Sequence, residues 1–122
     1  MLKRSLLESP KRSRPGLLSH ILLQSGDTAT DNLAIAWIEV ESGSKQQPHH
    51  HVPEQAYIII GGQGCIHVGS DIDNIRTGDL IYIPPDAEHF IENTGTEKLS
   101  YISVTVPALN IETLYDSGQL RH

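Results

Sequence analysis

Short strand-like runs, each stopped by a turn cluster, dominate this sequence from about residue 20 onward. Leu33–Val40 (LAIAWIEV) follows Ser25-Gly26-Asp27 and is closed by Ser42-Gly43-Ser44. Gln55–Ile60 (QAYIII) ends at Gly61-Gly62, and Cys65–Val68 ends at Gly69-Ser70-Asp71. Leu80–Ile83 (LIYI) lies between Thr77-Gly78-Asp79 and Pro84-Pro85-Asp86. His89–Glu92 stops at Asn93-Thr94-Gly95, and Leu99–Val106 (LSYISVTV) stops at Pro107. β-branched and aromatic residues between such breakers read as strands. No helical pattern of roughly 10–15 residues alternates with them, which argues against βαβ units. The sequence therefore predicts an all-β sandwich or barrel. The segment Ile111–Leu120 is expected to add one short helical turn or a further strand.

The chain has 122 residues, one domain's worth, and its single Cys65 cannot form an internal bridge. That fits a reducing compartment, and we read the protein as cytoplasmic. The apolar stretch Leu17–Leu23 is far shorter than the roughly 20 residues of a membrane span. Pro10, Pro15, His20 and the lack of a small-residue cleavage site argue against a signal peptide. Charge is uneven. Lys3, Arg4, Lys11, Arg12 and Arg14 stand against Glu8, a net +4 over residues 1–15, and the rest carries −10. We divide the chain into a basic N-terminal arm (1–16), a barrel (17–110) and a C-terminal tail (111–122). The arm reads as a mobile end, or as a segment packing on a neighbouring subunit's acidic body. The acidic body is a poor nucleic-acid surface, so neither nucleic acid nor membrane is expected as a partner.

Within PHHHVPEQAY, His49 and His51 are two residues apart. On an extended segment they point to the same side and can chelate one ion, leaving His50 to face away. Gln55 begins the next strand, and its amide oxygen can swing into the same space. His89 stands five residues after Pro84, where a proline turn can bring it back toward the pair.

These residues resemble the two motifs of the cupin superfamily, in its small single-domain form. Gly43, His49, His51, Gln55 and Gly62 match the spacing G-x5-H-x-H-x3-E-x6-G, with Gln in place of Glu. Gly78, Pro84, Asp86, His89 and Asn93 match G-x5-P-x-G-x2-H-x3-N, with Asp in place of the central Gly. The motifs and their spacer cover residues 43 to 93, and the strand pattern extends the match to about 20–107. The resemblance implies a double-stranded β-helix (jelly-roll) barrel with a mononuclear site of His49, His51, Gln55 and His89. Otherwise Gln55 would hydrogen-bond a metal-bound water. Asp serves well in the turn at Asp86. Nitrogen-rich ligation implies one divalent transition metal per chain, from Zn, Ni, Fe, Cu, Co or Mn. Neutral ligands leave its charge uncompensated, which should attract an anionic ligand.

Other signals carry less. Gly61-Gly62-Gln63-Gly64 lacks the third glycine and following helix of a phosphate loop. Asp71-Ile72-Asp73-Asn74 fails as a calcium loop, because Arg76 and Tyr82 stand where Gly and Glu are needed. His67 is expected to be exposed or at a subunit contact, and Trp37 to lie in the core or an interface. Tyr57 and Ile59 share the inward face of Gln55, and Ile91 shares that of His89, so these three are the expected pocket walls. Tyr57 reads as packed core or as a hydrogen-bond donor to a ligand.

The expected function is a metal-binding cupin acting on a small oxygenated molecule, of dioxygenase, isomerase or lyase type. The alternative is a non-enzymatic small-ligand-binding module. A metal-free sugar epimerase is disfavoured by the shortage of basic residues for a diphosphate. A homodimer is expected, with Leu17–Leu23 supplying an edge strand or inter-subunit packing and the basic arm complementing the acidic body.

Overall fold

The computed structural model describes residues 1–108, so Ile111–Leu120 lies outside the described residues. A single 3-10 turn, Leu6–Glu8, precedes nine strands. These are β1 (Lys11–Arg14), β2 (Leu17–Leu23), β3 (Ala34–Val40), β4 (Glu54–Gly61) and β5 (Gln63–Val68). β6 (Asp71–Arg76), β7 (Leu80–Ile83), β8 (His89–Glu92) and β9 (Leu99–Val106) follow. They form a six-stranded sheet in the order β1-β2-β3-β9-β4-β7 and a three-stranded sheet in the order β6-β5-β8. All pairings are antiparallel. This is the expected all-β double-stranded β-helix. Among the described residues no helix is long and apolar enough to cross a membrane.

Alternation builds the core. Ala34, Ala36, Ile38 and Val40 on β3 face inward, and so do Tyr57 and Ile59 on β4 and Ile91 on β8. Ile59, Ile83, Ile91 and Leu99 are essentially inaccessible to water. Each such side chain contributes about 1.5–3 kcal/mol on burial.

Two N-terminal expectations change. β2 is not an edge strand, because β1 pairs along it from Lys11 opposite His20 to Arg14 opposite Leu17. Leu17 and Ile21 are spent in the chain's own core rather than in packing between subunits. Within the basic arm, Arg4 reaches the Leu22 carbonyl and the Asp27 carboxylate, both at 2.8 Å.

The motif glycines are where the backbone needs them. Gly43, Gly62 and Gly78 all have positive φ. Asp86, at the position where the motif carries glycine, adopts the same left-handed region with φ 64°. Asp tolerates this region better than most side chains. Gly62 is doubly constrained: a Cβ there would sit 2.5 Å from the Lys98 carbonyl oxygen. Gly69 has φ +58° but open space around it. In urea denaturation we therefore expect Gly69→Ala to cost about 1 kcal/mol and Gly62→Ala about 2–3 kcal/mol or more. Equal costs would contradict the steric account.

Candidate metal centre

Backbone pairing brings the histidines together. The segment before β4 runs antiparallel to β8, with bridges Lys45–Glu92 and His49–His89. His49 and His89 exchange backbone hydrogen bonds of 3.1 and 2.8 Å. Residues opposed in this way present side chains on one face. His51 is held by the other turn, where Asp86 N–H donates to the His51 carbonyl at 2.8 Å. The imidazole centroids of His49, His51 and His89 lie 4.2–5.9 Å apart. One ring nitrogen from each lies within 4.8 Å of the others, so the three can hold one ion.

Each ring is also fixed in tautomer. His49 Nδ1 donates to the Gln47 carbonyl at 2.9 Å, His51 Nδ1 to Pro53 at 2.8 Å, and His89 Nδ1 to Ala87 at 2.8 Å. A carbonyl only accepts, so the proton must sit on Nδ1 and each Nε2 keeps its lone pair. This is how metal-ligating imidazoles are usually oriented. His89 Nε2 is buried without a hydrogen-bond partner. Such an orphaned acceptor is costly unless a cation or donor meets it.

Gln55 joins the same space. Its Nε2 donates to Thr105 Oγ1 at 2.9 Å, which turns Oε1 toward His51 Nε2 at 3.1 Å. With the His51 proton committed to Pro53, this close pair is two acceptors. Two ligands about 2.1 Å from one ion and about 90° apart stand about 3 Å from each other. The donor set therefore fits a divalent ion with three imidazoles and one amide oxygen.

The three rings are buried. Burial, offset by the Gln47 bond, holds His49 down to about 4. Burial and the neighbouring His49 take His89 down to about 3. The described buried polar residues include no Asp, Glu, Lys or Arg. Tyr57, Ile59 and Ile91 are buried on the inward faces, as expected. The Tyr57 ring lies edge-on to His89 at 6.2 Å, and burial raises its hydroxyl pKa. Behind it, Tyr57 hydrogen-bonds Tyr101, which accepts from Gln46 Nε2 at 2.7 Å. The backbone N–H of Ile91 donates to Gln46 Oε1 at 3.3 Å.

Other histidines stand apart from the cluster. His50 is exposed and contacts Asp86 Oδ1 at 3.1 Å. His67 stacks on Phe90 with centroids 4.0 Å apart, on the outer face of the smaller sheet. Thr105, Gln46 and Tyr101 were not singled out from the sequence. For Tyr101 and Thr105 the signal was the alternation with Ser103 along β9, which places all three on the inward face, whereas Gln46, in the segment before β4, had none.

A two-sheet antiparallel barrel with three buried imidazoles converging on one space is a β-barrel whose interior could hold one ion. The chain belongs to the cupin domain family, whose profile matches residues 36–105. It is 35% identical over 74 residues to an uncharacterized protein of Methanocaldococcus jannaschii, covering 60% of this chain and 59% of that one. It is 31% identical over 68 residues to the dimethylsulfoniopropionate lyase DddW of Ruegeria pomeroyi, covering 56% and 45%. The chain thus spans about half the length of these curated relatives. A crystal structure of a predicted oxalate decarboxylase from Thermotoga maritima superposes with TM-score 0.75 at 25% identity, covering 89% of this chain and all of that one.

The buried imidazoles give metal-free protein a defined pH response. Folded His49 and His89 lie below their ordinary 6.5, so the folded chain binds fewer protons than the unfolded chain. Their contribution is complete above 6.5 and is lost as pH falls toward 4. Asp27 and Glu39, also held low, act only below their ordinary 3.8 and 4.5. With chelator present, the melting temperature should drop between pH 6.5 and 4.5, and His89→Gln should flatten that drop. A flat wild-type profile would contradict neutral buried imidazoles.

Proposed function

We propose that this protein is a metal-dependent cupin, its ion held by His49, His51, His89 and Gln55, acting on a small carboxylate-bearing or otherwise oxygenated molecule. The reaction is of lyase, dioxygenase or isomerase type. The observation that carries this reading is the convergence of three tautomer-locked imidazoles, with His89 Nε2 buried and unpartnered. When bound, a divalent ion here supplies a Lewis acid with open positions for an oxygen ligand. The chain's own residues supply the rest. Gln55 and the imidazoles add no negative charge, so the loaded site stays cationic and favours an anion. Tyr57, Ile59 and Ile91 wall the site and exclude water. Thr105 holds the Gln55 amide in its ligating orientation. The names of the Ruegeria dimethylsulfoniopropionate lyase and of the predicted Thermotoga oxalate decarboxylase both point to small carboxylates, which supports that substrate class.

A binding module without turnover is the second reading. It is favoured by the lack of any buried Asp or Glu, among the described residues, to move a proton. The same buried set lacks the Arg or Lys that a sugar diphosphate needs, which speaks against an epimerase.

Elemental analysis of tag-free protein should find about one transition metal per chain, lost in His49→Ala and His89→Ala. A folded wild type that stays metal-free after incubation with Zn, Ni, Fe(II), Mn and Cu would overturn the site. Gln55→Glu should bind the ion about tenfold or more tightly, since it adds a charge at the ligand position. Oxygen uptake by the Fe(II) form, across catechols, diketones and thiols, and product analysis with small carboxylates separate enzyme from binder.

A further inference from the structure

Three turns meet at the end of the barrel away from the metal centre. They join β4 to β5, β6 to β7 and β8 to β9. β4 carries Gln55 near one end and reaches these turns at the other, about 20 Å along the strand. Between them lies a cavity of about 550 Å³. Small-molecule sites occupy roughly 300–1,000 Å³. Gln63 and Arg76 stand opposite each other across β5 and β6, and Asn74 follows on the same face. Thr94 closes the cavity from the β8–β9 turn. These four residues are exposed, and their side chains make no hydrogen bond or ion pair among the described residues. Arg76 differs in this from the other two described cations beyond the basic arm. Lys98 meets Glu39 at 3.1 Å, and Lys45 lies over the Phe90 ring. An adjoining cavity of about 220 Å³ continues the groove past Gly95 and Thr96 to Glu97, and Gln63 lines both. Gly95 gives Gln63 its room, because a Cβ there would sit 2.9 Å from Gln63 Cγ.

We propose that this groove is a second binding site, separate from the metal centre, for a neutral saccharide of two rings. Charge decides against an ion. Arg76 and Asp79 cancel in the larger cavity, and Glu97 adds a negative charge in the smaller one. On a chain of net −6, an anion gains one guanidinium here and meets two carboxylates. A cation meets Arg76. What the groove offers is hydrogen bonding in both directions. The Arg76 guanidinium only donates, the Asp79 carboxylate only accepts, and the Gln63 and Asn74 amides and the Thr94 hydroxyl do both. Asp79 is fixed at the wall, where its Oδ2 accepts the Arg76 backbone N–H at 2.9 Å. Sugar hydroxyls also donate and accept, and they come in adjacent pairs. Planar guanidinium and carboxylate groups can meet such a pair with two bonds each. The floor is formed by Ile75 and Gly64, both buried, and suits the C–H face of a sugar ring. No aromatic ring lines either cavity, so binding is weak, with a Kd on the order of 1 mM.

Titration of the nitrogen-15-labelled full chain with maltose, cellobiose and mannobiose, followed by amide chemical shifts, tests it. At least one disaccharide should give saturable shifts at Gln63, Asn74, Arg76 and Thr94, with the amides of His49, His51 and Gln55 unmoved. Inorganic phosphate and malonate should give no saturable shift at the groove. Gln63→Ala and Asn74→Ala should each weaken binding about three- to tenfold and leave the remaining spectrum unchanged. If one of them fails to fold, the other carries the test. The proposal is overturned if no disaccharide gives saturable shifts at about a hundred times the expected Kd. It is equally overturned if phosphate or malonate saturates the groove amides, or if the folded variants bind as the wild type does.

Discussion

Three hydrogen bonds, from imidazole Nδ1 to the carbonyls of Gln47, Pro53 and Ala87, set the chemistry of this barrel. Each carbonyl lies two residues from its histidine, so the backbone path fixes the ring. That path is held in turn by the antiparallel pairing of His49 with His89 and by the Asp86 amide on His51. With the protons committed outward, the three Nε2 lone pairs turn to one point. Burial then keeps His49 and His89 neutral near pH 7. Neutral and aligned imidazoles are what a divalent transition ion requires.

The replacement of Glu by Gln at residue 55 shapes the rest of the site. A carboxylate there would lower the net charge of a loaded centre and orient itself by charge. The amide needs an external partner to choose which end faces inward, and Thr105 supplies it from β9. The same alternation that sends Thr105 and Ser103 inward sends Ile102 and Val104 outward. The site is thus built on one face of β9, and a register slip of one residue there would turn Thr105 and Ser103 outward.

Much of the barrel was readable before folding. Gly43, Gly62 and Gly78 were placed by motif spacing, and all three occupy positive φ, where glycine has least competition. β7, β8 and β9 begin and end where their turn residues predict. The strands that escaped notice are polar. β6 (DIDNIR) buries only Ile75, and β1 (KRSR) buries nothing, so neither shows an apolar face. They are held by backbone pairing with β5 and β2, a ladder that needs no apolar side chains of their own. The pairing of His49 with His51 was legible because only His50 separates them. The support from Thr105, and the Gln46–Tyr101–Tyr57 chain, was not, because partners about fifty residues apart leave no local pattern.

The central claim is that one ion is held by the Nε2 atoms of His49, His51 and His89 together with the Gln55 oxygen. X-ray absorption on the Co(II)- or Zn-loaded chain measures this directly. The account expects a first shell of nitrogen and oxygen at about 2.0–2.2 Å, with the outer-shell scattering of three imidazoles, reduced to two in His89→Ala. A shell of oxygen alone, or imidazole scattering unchanged by His89→Ala, would contradict it.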